Sequence, residues 1–433
     1  MSETHAQTVT FVRDTMLPPV PPPMGERGAV KWMRANLFST PLNIALTLLG
    51  LLIIYWLVAS SLPWWLNSVW NAESLSQCRE IVAASAGEGA TGACWAMIRE
   101  RWHQFLFGFY PPDQWWRPIL ALGLLLAALA PVLYSGQKRN LTVVLGGVAI
   151  YLLVTLWLAA TPGVAFGLAV ALILGLLALA QVQPGQLLWF TLLYPALCFW
   201  LLWGGSVWSP IVAMAGFAIL YAVFRLASPF IGLAPGAGAG ILAAVLWWLY
   251  LDIPTVETLQ FALPFGLQSI NSDQFGGFLL AIVIGVTGIT FSLPIGILLA
   301  LGRQSDMLIV KTLSVGFIEF VRGVPLITLL FTASLLLQYF LPPGTNFDII
   351  LRVIILVTFF AAAYLAEVIR GGLAALPRGQ YEAADALGLD YWRAQRLIIL
   401  PQALKVSIPA IVSTFIGLFK DTTLVAFVGL MDP

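Results

Sequence analysis

The chain has 433 residues, 60% hydrophobic and 9% charged, with a mean hydropathy of +0.91; a soluble domain carries about 25% charge. At about 20 apolar residues per crossing, such a sequence fills roughly ten membrane spans, which excludes a soluble enzyme and a single-anchor receptor. Its 21 basic and 20 acidic residues nearly cancel, which argues against a nucleic-acid or polyanionic partner, and three cysteines and two histidines without close spacing leave little for a protein-built metal site.

Residues 1–37 are polar and proline-rich, with Pro18, Pro19, Pro21, Pro22 and Pro23 ahead of Arg27, Lys31 and Arg34, and read as a disordered cytoplasmic tail. The apolar run 42–62 is too long and too late for a cleaved signal peptide, so it reads as an uncleaved signal anchor. Further spans are expected at 118–134, 141–160, 163–180, 187–203, 210–227, 231–251, 277–301, 323–341, 349–369 and from near 408. The fold class is therefore all-α, a polytopic transmembrane helix bundle of about eleven spans.

Between Arg139 and Arg225 no charged residue occurs, so loops there are tight and carry no orientation signal. With the amino terminus inside, Lys138, Arg139, Arg225, Arg303, Lys311, Arg370, Arg378, Arg393, Arg396 and Lys405 all fall inside, as the positive-inside rule requires. The segment 252–274, with Asp252, Glu257 and Asp273, then falls outside, as does the long loop 63–117. That loop holds Cys78 and Cys94, sixteen residues apart, in what becomes an oxidising compartment if the membrane is a bacterial inner one. They read either as a disulfide or as two ordinary thiols, while Cys198 lies in an apolar span as a small hydrophobe.

Almost forty residues separate the spans ending near 369 and beginning near 408. Within them, 380–387 (QYEAADAL) is a run of helix formers ended by Gly388, and Asp390 can cap a second helix over 391–399 that Pro401 closes. That second helix places Trp392, Gln395 and Ile399 on one face and Arg393 and Arg396 on another. Small Ala383 and Ala384 beside Glu382 let another surface approach closely; the alternative is a solvated loop that merely joins two spans.

The spacing of Glu382, Ala383, Ala384, Gly388, Ile398, Leu400 and Pro401 resembles the EAA loop of ABC-importer permeases. Segments 318–326 (IEFVRGVPL), 363–373 (AYLAEVIRGGL) and 417–424 (GLFKDTTL) are similar to polar amino-acid permeases of that superfamily. The resemblance covers about 276–433, and the extension at 38–252 with its outer loop resembles the larger permease of general L-amino-acid uptake systems. It implies the ABC type I importer permease fold over 276–433 and a multi-pass component of the bacterial inner membrane. The family core continues into one more span, so on this resemblance the last core helix is missing after 429–433.

The implied machine takes an L-amino acid from a periplasmic amino-acid-binding protein, passes it through two permease subunits, expected to be a heterodimer, and is driven by a dimer of cytoplasmic ABC ATPases. Glu382, Ala383, Ala384, Gly388, Ile398, Leu400 and Pro401 are then ATPase-coupling residues. The chain has no Gly-x-x-x-x-Gly-Lys-[Ser/Thr] phosphate loop, so no catalytic residue and no cofactor is assigned to it, and ATP and Mg²⁺ belong to the partner ATPase.

Ionised groups at membrane depth cost roughly 2.5–3.5 kcal/mol on insertion scales and mark function by default. Here they are Glu319, Arg322, Glu367, Arg370, Lys420 and Asp421. Glu319 with Arg322, and Glu367 with Arg370, are spaced three apart and able to pair, so structural pairing competes with a role in the substrate path. Lys420 and Asp421 follow the short run 408–419 and are assigned to a gate or path. An ion-coupled secondary amino-acid transporter is the alternative, and predicts a symmetry between halves that the sequence lacks; a membrane scaffold leaves the EAA loop unexplained.

Overall fold

In lipid, backbone N–H and C=O groups must bond within their own segment, so long runs of leucine, valine, isoleucine and alanine resolve into helices. The computed structural model describes residues 28–134, 136–340 and 348–430. Most of the expected tail, 1–27, and the chain end at 431–433 lie outside the described residues. The chain divides into two compact units, Met1–Arg101 and Trp102–Pro433.

In the first unit, α1 (Gly28–Asn36) leads to α2 (Pro41–Leu66), which Thr40 caps by accepting the Asn43 N–H at 3.2 Å. The side chains of α2 are nearly all outward and apolar, as lipid as solvent permits. Beyond it, α3 (Leu75–Ala86) and the start of α4 (Ala96–Phe107) enclose a small core of Val69, Ala72, Cys78, Val82 and Ala96. Cys78 and Cys94 are joined as a disulfide, with Cα atoms 5.9 Å apart. Trp95 packs against Trp64, Trp65 and Trp70.

The second unit opens with four helices, α5 (Trp116–Tyr134), α6 (Lys138–Leu158), α7 (Gly163–Val182) and α8 (Leu187–Trp203). Next come α9 (Trp208–Ile231), α10 (Leu233–Leu246) and α11 (Asp252–Ala262). The remaining long helices are α12 (Gly277–Gln304), α13 (Leu308–Gly323), α14 (Leu326–Phe340) and α15 (Ile349–Ala374), followed by short α16 (Gly379–Ala386) and α17 (Tyr391–Ala394), and then α18 (Leu400–Asp421). Two-residue strands β1 (Gly205–Ser206) and β2 (Gly266–Leu267) pair antiparallel.

Among the described residues ten helical segments are long and apolar enough to cross a membrane, and the pair Leu308–Gly323 and Leu326–Thr332, bent by 101°, supplies an eleventh. The expected all-α bundle of about eleven spans is what forms. Residues 28–36 of the expected disordered tail are helical, as α1, and three span boundaries differ from the sequence reading. The span expected at 323–341 is preceded by a separate helix, α13, because Pro325 has no N–H and holds Val324 extended (φ −107°, ψ 131°). The span expected at 231–251 runs on through a wide π turn, Trp247–Leu251, into α11, so Asp252 and Glu257 are helical. The last helix does not begin near 408: Tyr391–Val428 is one helical path.

Pro401 therefore does not close the second loop helix. It sits in the first turn of α18, just after the π turn Gln395–Ile399, where the Leu400 N–H bonds the Gln395 carbonyl and the missing proline donor is accommodated.

Two buried clusters fill this unit. One joins α5–α8 to α12, α14, α15 and α18, around Leu124, Leu152, Phe275, Ile284, Val353 and Leu418. The other lies between α12, α13, α15 and α18, around Leu301, Ile318, Leu365, Ile369 and Ile399. Small residues set the helix spacing: a Cβ on Gly296 of α12 would meet Leu365 Cβ at 2.9 Å, and one on Gly372 of α15 would meet the Ala403 carbonyl at 2.6 Å.

The segment 266–275 fastens the extension helices to the core. Buried Arg117 of α5 donates to the Gln268 carbonyl at 2.7 Å, and the Ile270 N–H bonds the Trp203 carbonyl at 2.9 Å. Trp203 Nε1 donates to Ser272 Oγ at 2.8 Å, and Ser272 donates to the Asp348 carboxylate. The other oxygen of Asp348 accepts the Leu351 N–H at 2.9 Å, capping α15. Phe275, fully buried, stacks on Trp203 with centroids 4.6 Å apart and meets Tyr110 edge-on at 5.4 Å.

Candidate functional site

α15 leaves the bundle at Ala374, and four residues later the chain enters α16. Ala384 is the buried residue of α16, while Glu382 and Ala383 face outward. Tyr381 and Ile398 pack at the edge of the second core cluster, and burial raises the Tyr381 phenol above its ordinary pKa. Gln402 of α18 donates to Gln380 Oε1 at 3.0 Å, so α16 is tied to α18.

Gly388 turns the chain with φ +66°, a conformation that glycine adopts without a Cβ clash. Asp390 then caps α17 by accepting the Arg393 N–H at 2.9 Å, and also pairs with the Arg393 side chain at 3.2 Å. Of the face expected to unite Trp392, Gln395 and Ile399, the last two are buried, but Trp392 is exposed, because the π turn rotates the register after Ala394. Ile398 and Leu400 are half-buried and Pro401 is exposed. The outcome is a short helix, tied to α18, that presents Glu382 and Ala383 outward, with Leu387 and Tyr391 exposed just beyond it.

A second cluster lies where α12, α13 and α15 meet. Arg303 at the end of α12 approaches Glu319 at 2.8 Å and Glu367 at 3.4 Å. Arg370 reaches Glu367 at 2.5 Å, and Arg322 stands 3.9 Å from Glu367 with its guanidinium 5.6 Å from the Tyr364 ring centre. The expected pair Glu367 with Arg370 forms, but Glu319 and Arg322 do not pair. α13 packs on both α12 and α15, with Ser314 over Gly302, which turns Glu319 toward Arg303 and Arg322 toward α15. Three arginines against two glutamates leave the cluster at +1. Arg303 was read from sequence only as an orientation charge, since nothing in its local pattern reveals partners 16 and 64 residues away.

Lys420 and Asp421 close the 22-residue α18, rather than following a twelve-residue run. Lys420 is exposed and Asp421 half-buried, and no ion pair joins either of them among the described residues. Beyond them Thr422–Val428 forms a tight 3₁₀ turn that packs on α14, with Thr422 buried and its hydroxyl bonded to the Phe419 carbonyl at 2.9 Å. The ion cluster, the EAA-like loop and this turn are three separate places: the first joins α12, α13 and α15, the second runs from α15 to α18, and the third follows α18. No group of three or more histidine, cysteine or acidic side chains able to hold a metal ion occurs among the described residues.

Residues 292–433 match the family described as binding-protein-dependent transport system inner membrane component. Over 424 residues, 98% of this chain and 87% of the relative, the sequence is 61% identical to the glutamate/glutamine/aspartate/asparagine transport system permease protein BztC of Rhodobacter capsulatus. It is 35% identical over 416 residues, 96% of this chain and 83% of the other, to the inner membrane amino-acid ABC transporter permease protein YhdY of Escherichia coli. A crystal structure of an amino acid ABC transporter with histidines is similar at 30% identity over 36% of this chain and 71% of its own, with a TM-score of 0.32.

Both full-length relatives are permeases and not enzymes, and they extend the likeness through the helices ahead of the family match. The chain belongs to the inner-membrane permease components of binding-protein-dependent ABC transport systems, among the permeases for polar amino acids.

Proposed function

We propose that this chain is one permease subunit of an importer for L-amino acids of the glutamate, glutamine, aspartate and asparagine class, with its amino terminus in the cytoplasm. The substrate class follows the relative that is 61% identical over nearly the whole chain. The positive-inside distribution supports the orientation. A periplasmic binding protein delivers the amino acid, a second and different permease subunit completes the path, and a pair of cytoplasmic ATPases carries ATP and Mg²⁺.

The observation that carries the coupling role is α16 itself. Its buried Ala384 and the Gln380–Gln402 bond hold it to α18, while Glu382 and Ala383 stand free to meet an ATPase. Closure of the ATPase pair can then move α15 and α18 as rigid rods. Glu319, Arg322, Glu367, Lys420 and Asp421 serve the path or its gate, with the ion cluster, at a net charge of +1, where α12, α13 and α15 meet.

The test is co-expression with the ATPase and the partner permease, comparing wild type with Glu382→Lys for ATPase pull-down and binding-protein-dependent uptake of labelled glutamate. Wild type captures the ATPase and imports, and the variant does neither although it reaches the membrane in equal amount. Absence of capture by the wild type counts against the coupling role.

A further inference from the structure

We propose that the exposed face of α6 that starts at Lys138 and Arg139 binds one anionic glycerophospholipid of the cytoplasmic leaflet. The leaflet, though not the site, rests on the orientation given above.

At the junction of α5 and α6 lies an open cleft of about 360 Å³, lined by Tyr134, Arg139, Asn140, Val143 and Val144. The Lys138 ammonium donates to the Gln181 carbonyl of α7, and Gln181 Nε2 donates to Thr142 Oγ1 at 3.1 Å, so the rim is held in place. Neither Lys138 nor Arg139 forms an ion pair among the described residues. The sequence offers them no nearby carboxylate, for no acidic residue occurs between Asp113 and Asp252. Two cations at one end of a bundle, without an acidic partner, can attract an anion from elsewhere.

Below Arg139 the same helical face carries Val143, Gly146, Gly147 and Ile150, at spacings that stack along one side. Val143 and Ile150 are each 67% exposed, and a Cβ on either glycine would meet nothing within 4 Å. The glycines thus leave an open trough in this apolar face between Val143 and Ile150, and the face runs about 17 Å from Arg139 to Ile150. A cationic, hydrogen-bonding head above an apolar trough matches a phosphodiester headgroup with an acyl chain. A soluble anion would satisfy the head and leave the trough empty, and a zwitterionic lipid would leave the cations uncompensated. Basic pockets between helices at the cytoplasmic surface select anionic headgroups on this principle.

The experiment uses the full chain purified with its partner subunits, stripped of lipid and equilibrated with mixed dioleoyl phosphatidylglycerol and dioleoyl phosphatidylcholine, with bound lipid read by native mass spectrometry. Wild type is expected to retain phosphatidylglycerol in preference to phosphatidylcholine. Arg139→Gln lowers that preference about fivefold, Gly147→Leu lowers retention by filling the trough, and Arg225→Gln leaves it unchanged. Equal preference in wild type and Arg139→Gln overturns the site, and displacement of the lipid by inorganic phosphate reduces it to an anion site and overturns the lipid assignment.

Asn140→Cys, treated with a membrane-impermeant maleimide, tests the leaflet separately. Labelling in inside-out vesicles alone supports it, and labelling from the outside of intact cells overturns it without touching the retention result. No readout requires transport, so a failed uptake assay and a failed lipid assay are distinct findings.

Discussion

The Arg303 guanidinium at the end of α12 lies 3.4 Å from the Glu367 carboxylate of α15, and Glu367 is the point on which Arg303, Arg322 and Arg370 converge. Its side chain is 23% exposed, against 55% for Glu319. Removing the Glu367 charge leaves three clustered cations, whereas Glu319 is well solvated. Glu367→Gln is expected to lower stability by about 1–3 kcal/mol, and Glu319→Gln by less than about 1 kcal/mol. Denaturant unfolding in detergent measures both, and equal effects would deny Glu367 its central place.

Gly372 lets α15 and α18 approach until a Cβ there would meet the Ala403 carbonyl at 2.6 Å and the Ser407 hydroxyl. Gly372→Ala should cost about 1–3 kcal/mol through overpacking. Adding Ser407→Ala should restore only part of the loss, since the backbone carbonyl cannot be trimmed. Complete rescue in a double-mutant cycle would mean the helices slide apart freely.

Asp348 does two things at once, capping α15 through the Leu351 N–H and accepting the Ser272 hydroxyl. Asp348→Ala is predicted to cost about 1–2 kcal/mol and to speed hydrogen exchange in the first turn of α15. Ser272→Ala, which spares the cap, should loosen the 266–275 segment while that first turn stays protected.

Gly388 holds φ +66°, which costs a residue with a Cβ about 1–2 kcal/mol. Gly388→Val should therefore disorder α16 locally, abolish ATPase capture and leave the melting of the remaining helices little changed. A variant that captures the ATPase normally would show that the turn does not fix the presentation of Glu382.

The Cys78–Cys94 bridge closes a loop of similar size to one of about 15 residues, for which chain entropy gives about 3 kcal/mol. With so small a core around Val69, Val82 and Ala96, Cys94→Ser should open residues 67–100 to protease. Helices α12–α18 should keep their melting behaviour, which limited proteolysis and calorimetry can separate.

The sequence by itself determined the membrane class, the helix count and the segments that make up the EAA-like loop. Each follows from a local quantity: twenty apolar residues span a bilayer, a glycine after a helical run ends it, and a fixed spacing of Glu382, Ala383, Ala384 and Gly388 is readable in one dimension. Local signals also misled. Pro401 looked like a terminator because its missing donor is a local fact, while the π turn that absorbs the loss packs against α16. Glu319 and Arg322 looked like a pair because three residues is helical spacing, yet their partners lie on other helices. Only the tertiary structure decided that Arg303 joins Glu319 to Glu367, that Asp348 answers to Trp203 through Ser272, and that Ala384 faces in while Glu382 faces out. Charge pairing and burial are set by which helix lies alongside, and that choice is made by Gly296, Gly302 and Gly372, whose lack of a side chain acts on neighbours distant in sequence.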